Sequence, residues 1–218
     1  MIEGVIFDMD GVLVDNVEQH LEAFLQFGRE QGRALTRADV LEVFGQRNDE
    51  MIPALLSRQV GEEELARLAS RKEEIYRELT GAVLKETMVP GLKHFLQELW
   101  DHNVAMSVAT SGPRENVDFV LDGLRIRSFF RGAVTGAEVS QGKPHPEVFL
   151  KAAELLQVDP SQCLVFEDTT SGIEAARRAG CRCIAVATTH SREELAVLEP
   201  DRILEDFSEI GAKEALAL

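Results

Sequence analysis

Short apolar runs alternating with helix-period segments constrain this 218-residue chain more than any other feature. Residues 4–8, Gly-Val-Ile-Phe-Asp, form an apolar run that ends on a carboxylate. Similar runs recur at 104–110, 163–168 and 181–188, with shorter ones at 133–135 and 202–204. A run that is apolar at consecutive positions suits a strand covered on both faces, as in a parallel sheet. Helix-period segments lie between the runs, at about 90–101, 113–123, 145–157, 171–179, 191–198 and 207–217. This alternation predicts βαβ units and an α/β fold with a doubly wound parallel sheet.

One stretch breaks the alternation. From about residue 16 to 86 there is no strand pattern, only helical patterns at 16–31, 37–44, 49–59 and 62–80. In the last of these, apolar residues fall at 65, 68, 75 and 79 with charges between them. The expected organisation is an all-helical unit, residues 15–87, inserted after the first strand of a core made by 1–14 and 88–218. Pro90-Gly91 marks the turn at the second seam.

Charge narrows the partners. With 23 Lys+Arg against 38 Asp+Glu, the formal net charge is −15. A polyanion or an anionic membrane surface needs a basic face, so neither nucleic acid nor membrane is expected as a partner. A small anionic substrate would need positive charge supplied locally. Cys163, Cys181 and Cys183 are odd in number and lie in or beside strand-like runs, which reads as buried thiols in a reducing compartment. Cys-x-Cys with no further Cys or His nearby is a poor zinc site. No signal-peptide pattern opens the chain, and no run approaches about 18 apolar residues, so the expected location is the cytoplasm.

No Gly-x-Gly-x-x-Gly or Walker A pattern follows the first strand, which argues against a nucleotide held by a Gly-rich loop. In open α/β sheets the ligand site lies at the carboxyl ends of the strands. Four groups collect there: Asp8-Met9-Asp10-Gly11, Thr110-Ser111-Gly112, Lys143 in Gly-Lys-Pro-His-Pro, and Glu167-Asp168-Thr169-Thr170-Ser171-Gly172. Crowded carboxylates raise one another's pKa, and a hard divalent cation such as Mg²⁺ relieves that penalty. One Asp then stays ionised as a nucleophile, and a second at i+2 can serve as general acid and base. A Lys and a Thr hydroxyl suit the oxygens of a transferring phosphoryl group. Ser171 is read as the N-cap of a helix beginning near Gly172.

These four groups, in this order, resemble the motifs of the haloacid dehalogenase superfamily of phosphotransferases, over essentially the whole chain. The position of the helical insert is similar to that superfamily's cap. The resemblance implies a Rossmann-like core, with Asp8 as the nucleophile that forms an aspartyl-phosphate and Asp10 as general acid and base. It implies Mg²⁺ held by Asp8, the Asp10 carbonyl and Asp168, with Glu167 contributing directly or through water. It implies Thr110 and Lys143 on the phosphoryl oxygens, with backbone donors near Ser111.

The substrate side is less determined. His20 is read either as a cap residue coupled to Asp10, as in the β-phosphoglucomutase branch, or as an exposed helix histidine. Arg47 and Arg114 are read either as substrate contacts or as solvated surface arginines. The opening motif and His20 resemble the mutase branch. Thr110-Ser111-Gly112-Pro113-Arg114 and Gly45-Gln46-Arg47-Asn48-Asp49-Glu50-Met51 depart from that branch's distal-phosphate residues. Asp10 sets the chain apart from dehalogenases, which lack it. The absence of Lys between residues 15 and 70 argues against a Schiff-base phosphonatase. The expectation is a Mg²⁺-dependent phosphatase of a small phosphorylated metabolite, with sugar phosphates among the candidates, acting as a monomer. The alternative is a β-phosphoglucomutase-like isomerase.

Overall fold

A computed structural model describes residues 1–218. Six parallel strands form one sheet: β1 Gly4–Phe7, β2 Ala105–Ala109, β3 Ala133–Val134, β4 Cys163–Glu167, β5 Arg182–Val186 and β6 Arg202–Leu204. Their order is β3-β2-β1-β4-β5-β6. The chain builds outward from β1 on one side and then crosses over to build outward on the other. The switch point therefore falls between β1 and β4, where such sheets open a crevice.

Alternation along each strand divides the core into two layers. Val5, Phe7, Leu164 and Phe166 face one side, with helices α5 Leu92–Asp101 and α6 Arg114–Gly123. Ile6, Cys163 and Val165 face the other, with α7 Glu147–Leu156 and α8 Thr170–Ala179. Phe7 stacks on Phe166 at 5.1 Å between ring centroids, and Phe95 meets both rings edge-on. Fully burying one such ring contributes about 1.5–3 kcal/mol. All three cysteines are free thiols, and burial raises each of them, Cys163 to about 11.

Four helices lie between β1 and α5: α1 Val17–Glu30, α2 Arg37–Glu42, α3 Asn48–Leu56 and α4 Glu62–Gly81. They enclose their own apolar cluster, with Leu21, Phe24, Phe27, Ile52, Leu55, Leu68, Ile75 and Tyr76 buried at its centre. Phe119 of α6 packs against both this cluster and the core. The two chain passages into the helical unit pair with each other: Asp15 N–H donates to Thr87 O at 2.7 Å, and Val89 N–H donates to Leu13 O at 3.2 Å.

Three local expectations change. The helical pattern at 207–217 is a 3-10 turn, Phe207–Glu209, and a short helix, α10 Ala212–Ala215, because the chain is extended at Ile210. The Asp206 side chain caps the turn, and Glu98 accepts the Ala212 N–H. The N-cap of α8 is Thr169 rather than Ser171: its hydroxyl accepts the Gly172 N–H at 3.1 Å, and Ser171 already lies in the first turn. The segment 191–198 shortens to α9 Arg192–Ala196, opened by a capping box between Ser191 and Glu194. No helix is long and apolar enough to cross a membrane.

Candidate active site

The floor of the site is built by the ends of β1 and β4. Asp8 follows β1 and is tied to the neighbouring strand by its N–H, which donates to Phe166 O at 3.0 Å. Asp168 follows β4. Asp8, Glu167 and Asp168 are buried, and one carboxylate oxygen from each lies within 4.8 Å of the others. Lys143 Nζ sits 2.9 Å from Asp8 Oδ1 and 2.5 Å from Glu167 Oε1.

The three carboxylates are engaged differently. Glu167 Oε2 accepts the N–H groups of Asp168 and Thr169 at 2.8 and 2.9 Å and the Thr169 hydroxyl at 3.0 Å. Its other oxygen takes Lys143, so Glu167 orders the loop and the lysine. A Cβ at position 172 would lie 1.9 Å from the Glu167 carboxyl carbon, so only glycine lets α8 approach this closely. Asp168 Oδ2 accepts the Thr189 hydroxyl, while its Oδ1 is buried with no donor. Asp8 Oδ1 meets Lys143 by charge without hydrogen-bond alignment. Gly11, at φ +80°, passes so close that a Cβ would lie 1.9 Å from Asp168 Oδ2.

Electrostatics mark the same deficit. Burial, opposed by Lys143 and reinforced by Glu167 and Asp10, pushes Asp8 up to about 7. Burial drives Asp168 well above the usual carboxylate range, and Glu167 and Asp8 add to it. Burial works against the Lys143 ammonium, but Asp8 and Glu167 outweigh it and raise that group above its ordinary value. Leaving buried polar oxygens without partners costs about 1–3 kcal/mol each, and more for charged groups. An all-oxygen set with two under-engaged carboxylates fits a hard divalent cation.

The opposite wall comes from the helical unit. Asp10 Oδ1 accepts from Asn16 Nδ2 at 2.6 Å and lies 3.3 Å from His20 Nε2. Asn16 Nδ2 also reaches the Tyr76 hydroxyl at 2.6 Å, and the His20 ring stacks on Tyr76 at 3.9 Å. His20 Nδ1 is 2.9 Å from Lys72 Nζ, which donates to Glu73 Oε1 at 2.9 Å. Burial acts to raise the Asp10 carboxyl, but His20, Asn16 and Lys72 outweigh it and hold it below its ordinary value.

Most of the expected residues converge on one cleft. Asp8, Asp10, His20, Thr110, Ser111 and Lys143 all line it, and the space among the lining side chains is about 550 Å³ including its mouth. Glu167 and Asp168 lie beneath its floor, and His20 is buried rather than solvated. Thr110 Oγ1 accepts the Gly112 N–H at 3.0 Å, and the Ser111 hydroxyl donates to Gly45 O at 3.0 Å, tying core to helical unit.

The two arginines do not join the cleft. Arg47 donates to Val139 O and Asp49 Oδ1, each at 2.9 Å, and so latches the helical unit to the core. Arg114, the first residue of α6, donates to Ala133 O at 2.8 Å and to Glu138 Oε2 at 2.7 Å.

Sequence reasoning missed Asn16, Asn48, Lys72, Glu73, Tyr76 and Asn116. Lys72 lies two residues beyond the lysine-free stretch 15–70 and is buried in this site, so the site does contain a lysine of the helical unit. Its ammonium pairs with Glu73 at 2.9 Å. A signal existed: the buried stripe of α4 runs Leu68, Lys72, Ile75, Tyr76, so a charge occupies an apolar slot. Asn48 and Asn116 carry no comparable signal.

Known proteins share this architecture. The family described as haloacid dehalogenase-like hydrolase matches residues 5–186. The chain is 34% identical over 213 residues to the chloroplastic 5-amino-6-(5-phospho-D-ribitylamino)uracil phosphatase of Arabidopsis thaliana, covering 96% of this chain and 57% of that relative's length. It is 31% identical over 218 residues to the phosphorylated carbohydrates phosphatase of Thermotoga maritima, covering 96% and 100%. The β-phosphoglucomutase structure from Clostridium difficile superposes with a TM-score of 0.88 at 25% identity, covering 98% of this chain and 95% of that one. With 182 of its 218 residues inside the family match, and with the site at the carboxyl edge of a parallel sheet, the chain belongs to the haloacid dehalogenase-like hydrolases.

Proposed function

We propose that the protein is a Mg²⁺-dependent phosphatase of a small phosphorylated metabolite, with residues 15–87 acting as a cap over the core. The observation that carries the reading is that Asp8, Lys143 and Thr110 line one cleft, with Asp168 buried directly beside Asp8 and an oxygen of each carboxylate left without a hydrogen-bond donor. When bound, the metal supplies positive charge against the phosphoryl oxygens and keeps Asp8 ionised. Asp8, Asp168 and the Asp10 carbonyl would hold it, with Glu167 ordering the loop beside it.

Asp8 then attacks phosphorus in line, and the P–O bond to the leaving alcohol breaks as the bond to Asp8 forms. Asp10 gives the departing oxygen its proton. In the substrate-free state Asp10 favours the carboxylate; an entering phosphoryl dianion raises it toward a donor. In the second half Asp10 takes a proton from water, which attacks the phospho-Asp8 phosphorus and releases phosphate. Lys143 and Thr110 hold the equatorial oxygens, where negative charge is spread. His20 and Lys72 set the protonation and position of Asp10. Closure excludes bulk water from the first step.

Phosphatase is preferred to mutase because Arg47 and Arg114 are spent on Val139, Asp49, Ala133 and Glu138. A mutase must retain a bisphosphate and needs a second anion clamp. The likeness to a β-phosphoglucomutase structure favours the second reading, an isomerase moving phosphoryl between sugar hydroxyls. A panel of phosphate monoesters with Mg²⁺, run beside β-glucose 1-phosphate, separates the two. Phosphate release without isomerisation is expected. Bisphosphate-dependent formation of glucose 6-phosphate would overturn the phosphatase reading.

A further inference from the structure

The leaving-group end of the cleft contains a buried carboxylate that the chemistry above does not use. Glu73, on α4, is 5% exposed and lines the cleft beside Gln46, Asn48 and Asn116. Its Oε1 accepts from Asn48 at 2.7 Å and from Lys72 at 2.9 Å, and its Oε2 accepts from Asn116 at 2.7 Å. A carboxylate offers about four acceptor positions, so three are filled and one remains for a substrate hydroxyl.

Charge at this end is balanced within the protein. Lys72 is the cation of the wall; it is paired with Glu73 and sits 4.3 Å from the Phe24 ring centroid. Arg77 reaches the wall only through the Asn116 side-chain oxygen, at 2.8 Å. Lys143 lies on the floor with Asp8 and Glu167. Arg47 and Arg114 are turned away. The surface facing a leaving group therefore consists of amides, one spare carboxylate acceptor and the apolar faces of Phe24, Phe44 and Met51. Such a surface reads hydroxyl groups. It gives a second phosphate or a carboxylate no unpaired cation, and sets it against Glu73.

We propose that Glu73 is a specificity-determining residue that restricts the site to monophosphates of uncharged polyhydroxy alcohols and rejects esters carrying a second anion. This rests on the phosphatase reading and sharpens it to a substrate class. Discrimination arises by neutralising Lys72 and by repelling the wrong ligand, a use of negative charge against a competitor rather than for the substrate.

The test compares kcat/KM for fructose 6-phosphate with fructose 1,6-bisphosphate, and for glucose 6-phosphate with 6-phosphogluconate, in Mg²⁺. The wild-type protein should prefer the first of each pair by at least ~100-fold. Glu73→Gln, which frees the Lys72 charge, should cut that preference by about tenfold or more, while Glu73→Asp keeps it within about threefold. If Glu73→Gln fails to fold, Gln46→Arg adds a cation to the same wall without touching the Glu73 hydrogen bonds. It should raise kcat/KM for the bisphosphate selectively. Equal use of both members of each pair by the wild type would overturn the inference alone. So would an unchanged ratio in folded Glu73→Gln, or in Gln46→Arg where Glu73→Gln does not fold. Failure to release phosphate from any of these esters or from the monoester panel in Mg²⁺ would overturn the phosphatase reading, and the inference with it.

Discussion

The floor and the wall of the cleft solve opposite electrostatic problems. On the floor, Asp8, Glu167 and Asp168 outnumber Lys143, and the excess appears as raised carboxyl pKa values. On the wall, Lys72 and His20 face Asp10 and Glu73, and both carboxyls are held below their ordinary values despite burial. On the proposed reading a cation from outside the chain completes the floor, whereas the wall balances its charges within the chain. The floor is thus suited to taking a cation and a phosphoryl group, and the wall to setting one proton and choosing a leaving group.

The sharpest way to break this division is at Asp8. Asp8→Asn keeps the shape but removes the nucleophile, and activity should fall at least about 10⁴-fold by phosphate release. Retention of full activity would put the nucleophile elsewhere. Next in size is metal removal. After thorough chelation, turnover should fall by at least about 100-fold and return on adding Mg²⁺. Metal-free turnover would mean that the floor's negative excess is not a cation site.

A smaller effect is expected on the wall. Lys72→Met removes a positive charge that lowers the Asp10 carboxyl. With one cation fewer, Asp10 holds its proton more tightly; as the acid of the first step it must be protonated, so the alkaline limb of kcat/KM should move to higher pH. A fall in kcat of roughly 10–100-fold should accompany it, because general acid–base catalysis contributes about 10²–10⁴-fold. A purely structural lysine would lower Tm without moving the pH limb.

The same contrast explains what the sequence made legible. Asp8, Asp10, Thr110 and Asp168 lie just after strands, and apolar runs locate strand ends well; Lys143, nine residues past β3, is picked out by its motif and the family resemblance. Wall residues depend on which face of a helix meets the sheet edge. His20 was reachable from its distance to the hinge. Lys72 and Glu73 lie in a stretch crowded with charges, Arg71 through Glu74, where only the slot between Leu68 and Ile75 distinguishes a buried lysine from a solvated one. Asn116 enters through the approach of α4 to α6, which no local pattern encodes. Arg47 and Arg114 show the converse: their positions were suggestive, but nearby carbonyls and carboxylates claim their guanidinium groups. The same competition decided the start of α8, where Thr169 reaches the Gly172 N–H ahead of Ser171.

The smallest predicted effect tests the floor without any substitution. Asp8 titrates near 7 because burial, partly offset by Lys143 and reinforced by Glu167 and Asp10, favours the neutral acid. A cation binds the carboxylate, so below pH 7 it must displace a proton. For one proton with a pKa of about 7, apparent Mg²⁺ affinity should be about fivefold weaker at pH 6 than at pH 7. The folded-state pKa is raised, so the metal-free protein binds this proton more tightly than the unfolded chain does. Its contribution to stability is therefore full below the unfolded value, about 3.9, and is lost as pH rises toward 7. Asp168, raised by burial and by the same neighbours, adds in the same direction. Calorimetric titration with Mg²⁺ at the two pH values, with proton release read from the buffer dependence of the heat, measures the linkage directly. Affinity that is flat between pH 6 and 7 would show that the floor carboxylates are already ionised before the cation arrives, and the contrast with the self-balanced wall would disappear.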